Sequence, residues 1–134
     1  MAEAEGIPPT ASVASASLTS LRYLGNYAYA YGGVIAVPDT TTTILGPFTS
    51  GAGIIMAEIQ ISDSSATNDD IKYNILLNDV VIFRFVRGNA GEAPGYPAIL
   101  IIPPFTKVEI TGYNLTESSG RDTTTTLTGR VYDA

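Results

Sequence analysis

The chain has 134 residues, a length that supports one core rather than two, and its 45% share of hydrophobic residues is ordinary for a globular domain. A formal charge of −6, a pI near 4.3 and seven scattered basic residues exclude a phosphate-binding surface, which needs clustered Lys and Arg to release counterions. The absence of Cys, His and Trp rules out disulfides, thiolate and histidine metal sites, Cys-His pairs and Ser-His-Asp triads.

Thirteen Gly, eight Pro and long Thr and Ser stretches, beside only 15% charged residues, favour turns and strands over helices. The N-terminus MAEAEGIPPT lacks the basic start and apolar centre of a signal peptide, and no run approaches the roughly 18 apolar residues of a membrane span. A soluble, non-exported protein with no membrane or nucleic-acid partner is expected.

In chain order, residues 1–17 are rich in Ala, Ser, Glu and Pro and carry neither a strand nor a helix period. They read as an extended arm, which orders only where a partner subunit supplies the apolar surface it lacks, the alternative being a disordered tail. Leu18, Leu21, Tyr23 and Leu24 fit one helical turn. Tyr27, Tyr29 and Tyr31 then alternate with Asn26, Ala28 and Ala30 at strand period until Gly32-Gly33 breaks the run. Each tyrosine offers a large rigid contact with a polar tip, so Tyr23, Tyr27, Tyr29 and Tyr31 are candidate interface residues, with packing inside the same subunit as the alternative. The expected division is an arm and lead-in over residues 1–33 and a β-sandwich domain over 34–134.

Residues 34–37 form a short strand closed by Pro38-Asp39, and 40–45 form another that ends at Gly46-Pro47. Residues 54–61 alternate, with Ile55, Ala57, Ile59 and Ile61 on one face and Met56, Glu58 and Gln60 on the other. The polar loop 62–70 contains Asp63, Asn68, Asp69 and Asp70, but their spacing misses the calcium-loop pattern, so neither metal nor cofactor is expected. Residues 71–87, IKYNILLNDVVIFRFVR, read as a β-hairpin turning at Asn78-Asp79. A two-residue loop would pair Tyr73 with Arg84 and mix polar with apolar residues. A three-residue loop over 77–79, with a bulge, puts Ile71, Tyr73, Ile75, Val81, Phe83 and Phe85 on one face and Lys72, Asn74 and Arg84 on the other. Leu76, Ile82 and Val86 then stand on the mainly polar face as further interface candidates, covered by the 27–31 segment or by another subunit.

Residues 88–97 have the glycines of a phosphate loop without its spacing. The apolar run 98–102, fenced by Pro97 and Pro103, reads as a strand buried on both faces. Residues 106–111 and 123–133 alternate again. The echo between DTTTTILG (39–46) and DTTTTLTG (122–129) suggests that the first and last core strands lie side by side with Thr opposite Thr. About eight strands result, the number a jelly-roll-like antiparallel β-sandwich uses.

Paired carboxylates remain as a route to catalysis, and Glu58 and Glu109 are the acids within predicted strands, yet both fall on polar, solvated faces. No GxSxG elbow surrounds any serine, so no enzyme activity is expected. The sequon Asn114-Leu115-Thr116 matters only on a eukaryotic secretory route. A sandwich with an arm and no reactive centre suits a protein whose work is contact. With its hairpin LLNDVVIF, the run LIIPPFTKVEI and the closing strand LTGRVYD, the chain resembles head-decoration (cement) or minor capsid proteins of tailed bacteriophages. The resemblance implies a homo-oligomer, a trimer in such families, made in the host cytoplasm and bound to the major capsid protein on the head exterior, with residues 1–33 as the clamp. The rival expectation is a ligand- or glycan-binding β-sandwich, such as a phage tail or receptor-binding module, using Tyr96 and Tyr113.

Overall fold

The computed structural model describes residues 20–63, 70–87, 98–116 and 121–133. Nine strands run through them: β1 (Arg22–Leu24), β2 (Tyr27–Val37), β3 (Thr42–Thr49), β4 (Ile54–Asp63), β5 (Ile71–Leu77), β6 (Val80–Arg87), β7 (Ala98–Ile102), β8 (Lys107–Asn114) and β9 (Arg121–Tyr132). They form a five-stranded sheet in the order β1-β2-β9-β4-β7 and a four-stranded sheet in the order β3-β8-β5-β6. Antiparallel pairs join β2 to β9, β3 to β8, β4 to β7 and β5 to β6. The chain is thus one long two-stranded ribbon, closed at the β5–β6 hairpin and wound on itself, with β4·β9 and β5·β8 joining the wound ribbon into sheets. This is the jelly roll, and the all-β sandwich expected from the sequence is the fold.

Alternation along each strand builds the core. Ile55, Ala57, Ile59 and Ile61 of β4 face inward as predicted, meeting Tyr73 and Ile75 of β5, Val108 and Ile110 of β8 and Leu127 of β9 in one buried cluster.

Several sequence expectations are corrected. Residues 22–24, read as part of a helical turn, form a strand, and β2 runs through the expected domain boundary at 33/34. Gly32-Gly33 does not end the strand: it is a β-bulge, two residues set against Thr125 alone, with Gly33 at φ +73°. A side chain at Gly32 would collide with the carbonyl oxygen of Ile44. β3 continues through Gly46-Pro47 because it is an edge strand, where a missing N–H leaves no ladder bond broken. The Thr-rich echo does not pair, since β3 lies beside β8 in one sheet and β9 lies between β2 and β4 in the other.

The hairpin closes differently from the expectation. Leu77 pairs directly with Val80, and Asn78 (φ 51°) and Asp79 (φ 68°) make a two-residue turn with both residues left-handed. The bulge lies inside β6 instead, with Ile82 as the extra residue between the pairs Leu76↔Val81 and Ile75↔Phe83. It restores the apolar alignment beyond it, pairing Asn74 with Arg84, while Val81 joins Leu76 on the outer side. The tip is pinned to β8: Lys107 N donates to Asn78 Oδ1 (3.0 Å), Asn78 N to Lys107 O (2.9 Å) and Lys107 Nζ to Asp79 Oδ1 (2.9 Å).

Candidate interaction surface

The seven residues singled out from the sequence fall on two separate surfaces. Tyr27, Tyr29 and Tyr31 project from the outer face of the five-stranded sheet because Ala28 and Ala30 between them take the core positions. Leu76, Ile82 and Val86 belong to the four-stranded sheet, with Leu76 partly buried and Ile82 and Val86 exposed. The tyrosine segment therefore does not cover the hairpin, and the two sets are not brought together. Tyr23 acts locally, where its hydroxyl accepts a hydrogen bond from Gly51 N (2.8 Å) and ties β1 to the β3–β4 turn.

Cross-strand register assembles a surface on the five-stranded sheet that the sequence reading missed. Tyr27 lies opposite Arg130, Arg130 opposite Met56 and Met56 opposite Ile101, while Leu24 on β1 lies opposite Tyr27. One row thus crosses all five strands as Leu24, Tyr27, Arg130, Met56 and Ile101, every member solvent-exposed. The Arg130 guanidinium lies 5.9 Å from the Tyr27 ring and 5.6 Å from the Tyr132 ring, a cation held between two aromatic faces. Tyr29 and Tyr31 extend the surface with ring centroids 5.2 Å apart. The other end of this face is mainly polar, carrying Gln60, Ser62, Thr124, Thr126 and Asp122 beside the exposed Val34 opposite Thr124. Large apolar, Tyr and Arg side chains concentrated at one end match the centre of a protein–protein contact.

Beside this end stands Phe105, 71% exposed and at φ 52°, a conformation that costs a bulky residue energy. Ser50 holds the turn: its Oγ donates to Pro103 O (2.8 Å) and accepts from Thr106 N (2.9 Å), and Phe105 N donates to Gly51 O (2.9 Å). The side chain is therefore presented outward on a fixed turn. The clue available in the sequence was the alternation of β9, which puts Arg130 and Tyr132 on one face. Residues 98–102 misled instead, because Ile99 (73% exposed) and Ile101 (55% exposed) point out of an edge strand rather than into a second layer.

The remaining sequence candidates do not converge. Glu58 sits on the outer face of the five-stranded sheet and Glu109 on the other sheet, where it accepts a hydrogen bond from Thr43 Oγ1 (2.6 Å), so the two carboxylates cannot flank one bond. The Tyr113 ring already carries the Lys72 ammonium at 5.3 Å, and Tyr96 lies outside the described residues. Asn114 of the sequon is fully buried, its Oδ1 accepting from Thr116 N (2.9 Å). Of the loop acids only Asp70 has a described side chain, and among the described residues no cluster of carboxylates could hold a metal. Residues 1–17, the expected arm, also lie outside the described residues. No known protein family matches this chain. No curated protein matches it either.

Proposed function

We propose that the protein is a virion structural component, a decoration or cement protein that binds the assembled phage head and stabilises it through subunit contacts. The observation that carries the reading is the row from Leu24 to Ile101, with Arg130 held between Tyr27 and Tyr132. Tyr and Arg dominate binding energy at contacts because they are large and rigid and bring a hydrogen-bonding end into a desolvated site. Stabilisation follows from mass action: a protein that binds the shell and not its separated subunits shifts the equilibrium toward the shell. The major capsid protein is the proposed partner, and the segment before β1 supplies the clamp, its ordering offset by the surface it covers.

The test is cosedimentation of the purified protein with assembled heads that lack it. The unmodified chain pellets with the heads, whereas Arg130→Glu stays in the supernatant and deletion of residues 1–17 weakens binding. Equal pelleting of all three refutes the reading. Specific binding of the isolated protein to a glycan array, with no binding to heads, replaces it with the ligand-binding alternative.

A further inference from the structure

The turn between β7 and β8 holds a bulky side chain in a costly backbone conformation. Phe105 has φ 52°, and the other described non-glycine residues with positive φ are Asn78 and Asp79, types whose short polar side chains tolerate the left-handed region. Packing among the described residues does not offset the cost, because the Phe105 ring is 71% exposed and stands apart from the buried cluster.

Nor does the turn need the ring. The buried Ser50 donates from N to Thr106 O (2.9 Å) and from Oγ to Pro103 O (2.8 Å), and its Oγ accepts from Thr106 N (2.9 Å). Phe105 N donates to Gly51 O (2.9 Å) and Thr106 Oγ1 to Pro104 O (3.1 Å), while the two prolines fix φ on the approach. All of these bonds come from backbone, serine or threonine, so glycine or asparagine at position 105 would complete the same turn at lower cost. A strained residue held by an over-determined frame points to a use for its side chain.

We propose that Phe105 anchors the contact by inserting into an apolar socket on the partner protein, beside a carboxylate that pairs with Arg130. The inference rests on the decoration reading and names the chemistry of the capsid surface bound there. Position and charge give the partner this character. Phe105 follows β7 at the end of the sandwich that carries Leu24, Tyr27 and Tyr132, and Gly51, its hydrogen-bond partner, is tied to Tyr23 on β1. Among the described residues the Arg130 guanidinium meets two rings and no carboxylate. Asp39, Asp70 and Asp122 stand at the opposite end of the strands. At this end Asp79 is paired with Lys107 (2.9 Å), which leaves Asp133, and Glu58 lies one row further in. In a chain of charge −6, this is the end that an acidic surface approaches with least repulsion.

The experiment measures affinity for assembled heads that lack the protein, beside urea unfolding of the free chain, for Phe105→Gly and Phe105→Asn. Glycine relieves the strain, and asparagine keeps the left-handed backbone without glycine's added freedom. Each variant is expected to lose about 30-fold or more in affinity, with a urea midpoint no lower than that of the unmodified chain. Added salt is expected to weaken binding of the unmodified chain more than that of Arg130→Ala. Unaltered affinity in both Phe105 variants overturns the socket while the decoration reading stands, and a lowered midpoint in both overturns it by making the ring part of the fold. Equal salt responses overturn the carboxylate. An unmodified chain that does not bind heads overturns the decoration reading and this inference together.

Discussion

Thr125 stands on β9 opposite the Gly32-Gly33 bulge, nearly fully buried, and its Oγ1 meets no hydrogen-bond partner among the described residues. A buried hydroxyl without a partner carries its full desolvation cost, and valine has almost the same shape. Thr125→Val is therefore expected to raise stability by about 1 kcal/mol in urea unfolding, while a loss would mean that the hydroxyl is satisfied. Thr123, two residues earlier and also buried, has its Oγ1 3.5 Å from the Tyr73 hydroxyl, so Thr123→Val should not help. At the hairpin tip the Asp79 carboxylate holds Lys107 above the ordinary lysine pKa, first through the hydrogen bond and then through its charge. A raised lysine pKa stabilises the fold below the unfolded value, and that contribution is lost as pH climbs through the folded one. The Lys107–Asp79 contact should thus be intact at neutral pH and weaken as the lysine loses its proton in alkali. Asp79→Asn should lower the Lys107 titration followed by NMR, and an unmoved titration would rule out Asp79 as the cause.

Whole elements were legible where alternation was uninterrupted, and β4 is the clearest case. Elements were misread where one residue changes the count. The Gly32-Gly33 bulge looked like a break because a Gly pair can bound a strand as well as bulge it, and continuity depends on β9 lying alongside, which no local signal reveals. In the hairpin the apolar pattern demanded one extra residue and left its place open, since a three-residue loop and a bulge at Ile82 produce the same parity beyond it. The structure puts the extra residue in the strand, and an unusual expectation follows. Deleting Ile82 leaves Leu76↔Val81 followed directly by Ile75↔Phe83, a regular ladder with the same faces buried. The deletion variant should fold and retain the Tyr73↔Phe85 pairing in cross-strand NMR contacts, with stability changed by less than about 2 kcal/mol. Collapse of the fold would show that the bulge's added twist, and not only its count, is required.

At the scale of the molecule the row through Arg130 lies on the outer face of the five-stranded sheet, joins Tyr and Arg to aliphatic neighbours and ends on the edge strand at Ile101. A sheet face suits a partner that lies flat on it. A single substitution should then separate folding from binding. Arg130→Ala removes a side chain that is exposed and stacks on two rings, so it should cost the isolated fold no more than about 1–2 kcal/mol. At the centre of a contact the same truncation is expected to cost about 2 kcal/mol or more of binding, roughly a 30-fold loss of affinity for heads. Unchanged affinity for heads in an Arg130→Ala variant that melts normally would remove Arg130 from the contact.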